Sequence, residues 1–454
     1  MPGTDLTAGA DMMRFRHLRL ILFLFPLLLA CSTAHAQFLM DMMDTTKELG
    51  KGLFSMYRRF DHIRISGYIQ PQFQAASAEG AAGYSGGNFS EFSDNRFMLR
   101  RGRLRFDYST FTEKNDPRLQ FVFQFDGTER GVFIRDFWGR FWEDRWRLFH
   151  FTTGMFARPF GFEVNLSSSD REAPERGRMS QILMKTERDL GLMASLEPGK
   201  SHGKWQYIEL DLGVFNGQGL AGPMEFDSYK DLIGQARLKP LPLGKNLKLS
   251  GGLQFLAGGL RQNTAEAYRL SKDRIGTFLF YPDSLSSSTG DRLPRTYQGA
   301  NVQLKWTHGW GNSEIRAEYW RGTQTATQFS SETPGVMALQ PDGKPGPYYV
   351  RSFDGGFLLF LQNIANTRHQ VGVKLDWYDP NRRVSGNDIG AAGSNLNAAD
   401  LRYTTLGFGY VFYHSEPLKL TLWYDRVRNE STLLPGLTGD IDDDVLTARL
   451  QFRF

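Results

Sequence analysis

From His62 to Phe454 one pattern recurs. Runs of about nine to thirteen residues alternate apolar and polar side chains, and turn-forming residues break them. The last run is the clearest. Leu446, Ala448, Leu450, Phe452 and Phe454 alternate with Thr447, Arg449, Gln451 and Arg453. A period of two puts one face of a strand in an apolar medium and the other in a polar one. Sixteen such runs are predicted, at about 62–74, 95–108, 118–126, 131–143, 146–157, 188–197, 204–216, 230–240, 246–258, 296–308, 312–323, 356–364, 367–378, 401–413, 417–428 and 443–454. Their length suits a tilted strand crossing a bilayer, which needs ~9–11 residues.

The connections exclude most alternatives. Short links at 143–145, 198–203, 241–245, 309–311, 365–366 and 414–416 alternate with long ones at 158–187, 217–229, 259–295, 324–355, 379–400 and 429–442. Short turns at one end and long loops at the other are the build of an outer-membrane barrel. A soluble sandwich has no reason to keep that rhythm. The expected fold is therefore all-β: a transmembrane antiparallel barrel of about sixteen strands, with both chain ends on the short-turn, periplasmic side. Sixteen strands enclose an aqueous lumen, whereas eight-stranded interiors fill with side chains.

Composition agrees. Mean hydropathy is −0.41, far too low for a helical membrane protein of 454 residues, yet 36 residues are Phe, an excess that favours lipid-facing surface. The one continuously apolar stretch, Leu18–Ala30, is too short to span as a helix. It follows Arg14, Arg16 and Arg19 and precedes Ala34-His35-Ala36. That is a secretory signal peptide over residues 1–36, cleaved before Gln37. Leu28-Leu29-Ala30-Cys31 also resembles a lipobox, which would leave Cys31 lipidated. Residues 37–61 read as a short periplasmic helix or stub, and 62–454 as the barrel. Cys31 is the only cysteine, so disulfides do not stabilise the exported chain.

Parity assigns the lumen. Arg101, Arg103 and Arg105 share the inward face of the second run at ~6.6 Å steps, opposite Leu104 and Phe106. Guanidinium forks bind phosphate or carboxylate oxygens in pairs and stay charged at any working pH. A row of them would let an anion hop. The plainer reading is that they pair with wall carboxylates, for which Asp107, Glu209, Asp211, Glu314 and Glu318 are candidates. The long connection 158–187 can fold inward as a constriction. Through Arg188 it holds Arg158, Arg171, Arg176, Arg178, Lys185 and Arg188 against Glu163, Asp170, Glu172, Glu175 and Glu187. No zinc, nucleotide or paired-cysteine motif appears, so no cofactor and no enzyme activity are expected. His150 with a serine is a weak hydrolase candidate. The run Asp440-Ile441-Asp442-Asp443-Asp444 is a weak divalent-ion candidate. Trp138, Trp142, Trp146, Trp306, Trp310 and Trp377 read as interfacial girdle, and inward Trp320 and Trp423 as a minor stacking surface.

Arg100–Phe106, Gly154–Glu163, Glu187–Gly191, Leu212–Gly217 and Arg449–Phe454, in that order, resemble the phosphate-selective porin O/P family over about His62 to Phe454. The resemblance implies an outer-membrane homotrimer of sixteen-stranded barrels with an inward-folded third loop and a preference for phosphate-like anions. By the same resemblance Arg101, Arg103 and Arg105 are the basic strand, and Arg171, Arg176, Arg178, Lys185 and Arg188 the constriction. It also makes the aromatic last strand the mark read by the barrel-insertion machinery. The acidic content of 158–187 departs from the family's strongly basic constriction. Expected partners are small anions of the phosphate class, membrane lipid and lipopolysaccharide, with no nucleic acid. The alternatives are a weakly selective general porin and a non-conducting barrel whose long loops bind a partner.

Overall fold

The computed structural model describes residues 62–454, apart from 114–115, 222–223, 284–287 and 366. The expected signal peptide, lipobox and stub lie outside the described residues. Eighteen strands occur in these: β1 Ile63–Ala76, β2 Asn95–Phe111, β3 Pro117–Thr128, β4 Gly131–Trp142, β5 Phe149–Ala157, β6 Arg188–Leu196, β7 Ile208–Phe215, β8 Asp231–Pro242, β9 Leu247–Arg261, β10 Ala267–Lys272, β11 Phe278–Asp283, β12 Arg292–His308, β13 Gly311–Ala326, β14 Tyr349–Asn363, β15 His369–Asp379, β16 Tyr403–Ser415, β17 Leu418–Asn429 and β18 Val445–Arg453. Strand β9 pairs directly with β12, so β10 and β11 stand outside the ring as a hairpin. The remaining sixteen form a closed antiparallel barrel. Strand β18 seals it against β1, in register from Tyr68↔Arg453 to Ala76↔Val445.

All sixteen expected strands are present, with shifted ends. Strand β5 starts at Phe149 rather than 146, β7 at Ile208 rather than 204, and β14 at Tyr349 rather than 356. The hairpin β10–β11 falls within the expected long connection 259–295. It packs Leu270 and Phe280, together with Tyr349 of β14, against Ile389, Leu396 and Leu401 of the 380–402 connection, a small core at the long-loop end.

The two faces follow parity. Ile65, Leu104, Phe121, Phe123, Phe137, Leu192, Leu212, Leu253, Val373 and Leu450 are exposed on the outside. The inside is not uniformly aqueous. Phe156, Met193, Phe215, Ile233, Leu256, Tyr297, Trp320, Phe353 and Tyr378 point inward from β5–β9 and β12–β15. They bury against Phe160, Val164, Met179, Ile182, Leu183 and Met184 of the connection 158–187. One half of the barrel interior is therefore a hydrophobic core, built around an inserted loop. Deleting one of its large side chains would cost ~2–5 kcal/mol.

Candidate functional site

The segment 158–187 enters the barrel through a local turn. Gly161 has φ +83°, and a Cβ there would meet the Trp320 ring at 2.5 Å, so only glycine lets the chain pass this wall. Two short helices follow, α1 Phe162–Asn165 and α2 Arg178–Leu183. The Glu318 carboxylate of β13 accepts the backbone N–H groups of Phe162 (2.6 Å) and Glu163 (3.0 Å). Glu163 pairs with Lys374 of β15 and accepts from the Gly177 amide at 2.9 Å and the Ser180 hydroxyl at 3.1 Å. Between the helices the loop crosses to the opposite wall. The Ser168 hydroxyl meets Tyr68 Oη of β1 at 2.6 Å. Lys419 of β17 donates to the carbonyls of Ser169 (2.7 Å) and Arg171 (3.0 Å), and Glu172 pairs with Arg316 of β13 at 2.7 Å.

Two β-bulges shape the basic wall. Between β1 and β2 the register skips at Gln70/Pro71, leaving Arg100 as the extra residue, so Arg100 and Arg101 both turn inward. They grip Glu175 of the loop: Arg100 with two nitrogens at 2.9 Å, Arg101 with Nη2 at 3.2 Å. Arg449 of β18 adds a third guanidinium, at 2.6 Å. Between β3 and β4 the skip at Gln124/Phe125 leaves Arg135 extra, and Arg135 and Asp136 both face the lumen. Arg135 binds Glu187 at 2.6 Å, joined by Arg176 at 2.8 Å and Arg188 at 3.8 Å. Asp136 holds Arg188 at 3.1 Å. Glu175 and Glu187 thus each sit among three guanidiniums. Burial alone would raise both carboxyls, but the surrounding arginines hold Glu175 and Glu187 well below the usual carboxylate range.

Arg171 lies near both nests and has no such partner. It is buried, its Nε and Nη1 have no hydrogen-bond partner, and it forms no ion pair among the described residues. Burial, then the charges of Arg101 and Arg176, push its guanidinium well below the ordinary value. Arg101 Nη1, Arg176 Nη1 and Arg135 Nε are also buried donors without acceptors. A cavity of about 350 Å³ opens here, lined by Arg64, Arg103, Arg105, Arg135, Arg171, Arg188 and Arg453 against Asp170 and Glu187. It shares Arg64, Ser66 and Arg105 with a second cavity of about 530 Å³ that reaches His62, Ser109 and Phe111. Together they make one basic vestibule from the loop to the short-turn end. On the loop's other side the space by Arg176, Arg178, Asp376 and Asp425 is only about 20 Å³, room for a single water.

The structure divides the sequence-predicted residues. Arg101, Arg103, Arg105, Arg171, Arg176 and Arg188 converge on the vestibule or the two nests. The ladder is not free: Arg101 has Glu175, Arg103 has Asp126 at 3.0 Å and Arg105 has Asp107 at 2.7 Å. Of the wall acids considered, Asp107 does serve the ladder. Glu209 and Asp211 turn to Arg237, and Glu314 to Arg316. Arg178 and Lys185 belong to the long-loop mouth. Arg178 lies over the Tyr403 ring at 3.5 Å and the Tyr84 ring at 4.9 Å, and Lys185 pairs with Glu332 at 2.5 Å. Reading single residues by parity missed Arg100 and Arg135, because a bulge breaks the alternation. The breaks are visible as Arg100-Arg101 and Arg135-Asp136, consecutive charges where one should face lipid.

Other candidates resolve differently. His150 points inward and bonds Glu197 at 3.2 Å, while Ser195 across from it donates to Asp211 at 2.5 Å. Asp440 caps Asn429, Asp444 binds Tyr424 and Val427, and no group of three metal-ligating side chains forms among the described residues. Trp320 and Trp423 are buried against Phe160 and Gly409 and offer no stacking surface. Trp138 and Trp142 face inward beside Arg140 rather than forming girdle, since the bulge at Arg135 inverts the parity of the rest of β4.

No protein-family model matches the sequence, and no curated protein sequence matches it. Solved structures do. The outer membrane channel DcaP of Acinetobacter baumannii superposes with TM-score 0.52 at 13% identity, over 86% of this chain and 97% of that one. OmpT, an outer membrane protein of Vibrio cholerae solved in a trimer form, gives 0.47 at 10% identity over 86% and 99%. A mutant porin of Rh. blastica gives 0.41 at 11% identity over 86% and 100%. The likeness to DcaP shows a porin-type sixteen-stranded barrel fold.

Proposed function

We propose that this barrel is a passive outer-membrane porin for small hydrophilic solutes, with a preference for anions of the phosphate class. One observation carries the reading. Around the inserted loop seven guanidiniums, those of Arg100, Arg101, Arg103, Arg135, Arg176, Arg188 and Arg449, meet four carboxylates, Asp126, Asp136, Glu175 and Glu187, while Arg171 stands beside them without an ion pair and the nearby Glu163 is taken by Lys374. A buried, unpaired Arg171 costs several kcal/mol unless an anion completes its site. The apolar outer wall and the porin-type fold support a membrane location, with short turns periplasmic and long loops outside. Trimeric assembly and recognition of β18 by the insertion machinery belong to the same reading. Pairing of Arg103 and Arg105 favours a second reading, a weakly selective general porin.

Purified protein in a planar bilayer under a salt gradient separates the two. A reversal potential on the anion side that collapses in Arg171→Gln is expected. A cation-side potential overturns the anion filter, and absence of conductance overturns the pore.

A further inference from the structure

The outer wall carries a basic feature separate from the lumen. On β13 the outward side chains climb toward the long-loop end as Ile315, Ala317, Tyr319 and Arg321. On β17 they climb as Leu420, Leu422, Tyr424 and Arg426. Trp377 of β15 stands beside Tyr319, ring centroids 6.3 Å apart. An aromatic row thus closes the apolar band, and charge begins directly above it. Cross-strand register carries that charge along the wall, Arg321 opposite Asp354 and Asp354 opposite Asp379. Arg382 is within electrostatic reach of Tyr319, and Arg402 of Asp379.

These arginines are poorly engaged. Arg321 reaches only the Gln298 amide oxygen, at 3.4 Å. Arg382, Arg402 and Arg426 are exposed and form no ion pair among the described residues, whereas neighbouring Arg428 has Asp440 at 3.5 Å. Four guanidiniums without ion pairs, with the carboxylates of Asp354, Asp379 and Glu430 among them, stand where lipid tails end and headgroups begin. Guanidiniums take phosphate oxygens in pairs, and basic residues near an anionic lipid surface are drawn to it. Strands β13 to β17 are four spacings of ~4.8 Å apart, so the row runs roughly 19 Å. One phosphodiester does not reach across it. A headgroup with several phosphates on a broad sugar scaffold does.

We propose that Arg321, Arg382, Arg402 and Arg426 form a docking rim for the phosphates of a phosphorylated glycolipid of the outer leaflet, a lipopolysaccharide. Its acyl chains lie against Ala317, Leu422 and the aromatic row. The proposal rests on the barrel being an outer-membrane protein with its long loops outward. The test titrates the full-length protein in detergent with lipopolysaccharide, with the same glycolipid stripped of phosphate, and with phosphatidylglycerol, following bound lipid by native mass spectrometry. Wild type is expected to bind lipopolysaccharide at least ten-fold more tightly than either control, and R321Q/R402Q/R426Q to lose that margin. Equal binding by variant and wild type overturns the proposal, as does equal binding of phosphatidylglycerol. The substituted residues lie outside the lumen, so the reversal potential of the variant is unchanged. A wild type that does not conduct would refute the pore reading instead, leaving the lipid result to stand by itself.

Discussion

At the scale of single residues, Glu175 decides how much positive charge the lumen shows. Its carboxylate is shared by Arg100, Arg101 and Arg449 and occupies the place an oxyanion would take among them. Glu175→Gln keeps the shape and removes the charge, so the anion-to-cation permeability ratio should rise several-fold. Breaking a buried pair costs ~3–5 kcal/mol, and the apolar packing of the loop has to absorb it, so heat-modifiability on gels must first show a folded barrel. Acid should not imitate the substitution. Because the arginines hold Glu175 well below the usual carboxylate range, its charge persists as pH falls through the ordinary glutamate value. A wild type that gains the E175Q selectivity at pH 4.5 would show that Glu175 is an ordinary exposed acid. Parity alone placed Arg101, Arg103 and Arg105 inward, because each strand has one clean apolar face. It offers Asp107, which does pair with Arg105, but it could not pair Arg101 or Arg103, since Glu175 and Asp126 reach them from a loop and a neighbouring strand, and no local rule encodes those distances.

At the scale of elements, the inserted loop is what fills one half of the barrel interior. Its length and mixed charge were legible in the sequence; its apolar anchor was not. Phe160, Val164, Met179 and Ile182 lie scattered among charged residues, and their partners on the wall are far away in the chain. Of the inward aromatics of β12–β14 parity reveals Trp320, but Tyr297 and Phe353 stay hidden, since a lumen is expected to be polar. The hairpin β10–β11 escaped notice because it lies within a long connection and gains its burial from the 380–402 loop. Gly161 is the point where the anchor is most exposed to test. An alanine there combines an unfavourable φ with a clash against Trp320. Gly161→Ala is expected to lift the loop from the wall, raising single-channel conductance about two-fold or more and weakening anion preference. Unchanged conductance in a folded G161A barrel would mean that the ion pairs alone hold the loop.

At the scale of the whole molecule, the long-loop end is a lid tied together by the same segment. Tyr84 donates to Glu332 at 3.1 Å, Lys185 reaches the same carboxylate, and Arg178 lies over both Tyr84 and Tyr403. Facing Arg178 at 3.9 Å is Asp443, whose carboxylate oxygens are buried without hydrogen-bond partners. Burial raises the Asp443 carboxyl, Arg178 pulls it down and Asp444 and Asp440 push it up, and together they bring it to about 6. The sign follows from linkage. A carboxyl raised in the fold binds its proton more tightly there than in the unfolded chain. Its contribution to stability is therefore whole below the ordinary aspartate value and is lost as pH rises through about 6. The thermal midpoint of the folded barrel should fall between pH 4 and pH 7.5, and Asp443→Asn should remove about a degree or two of that fall. The two proteins should then melt alike at pH 4, with the variant higher at pH 7.5. A variant that melts lower than wild type at pH 7.5 would show that the Arg178–Asp443 attraction outweighs the cost of burying the charge, and that the lid is held by that pair rather than in spite of it.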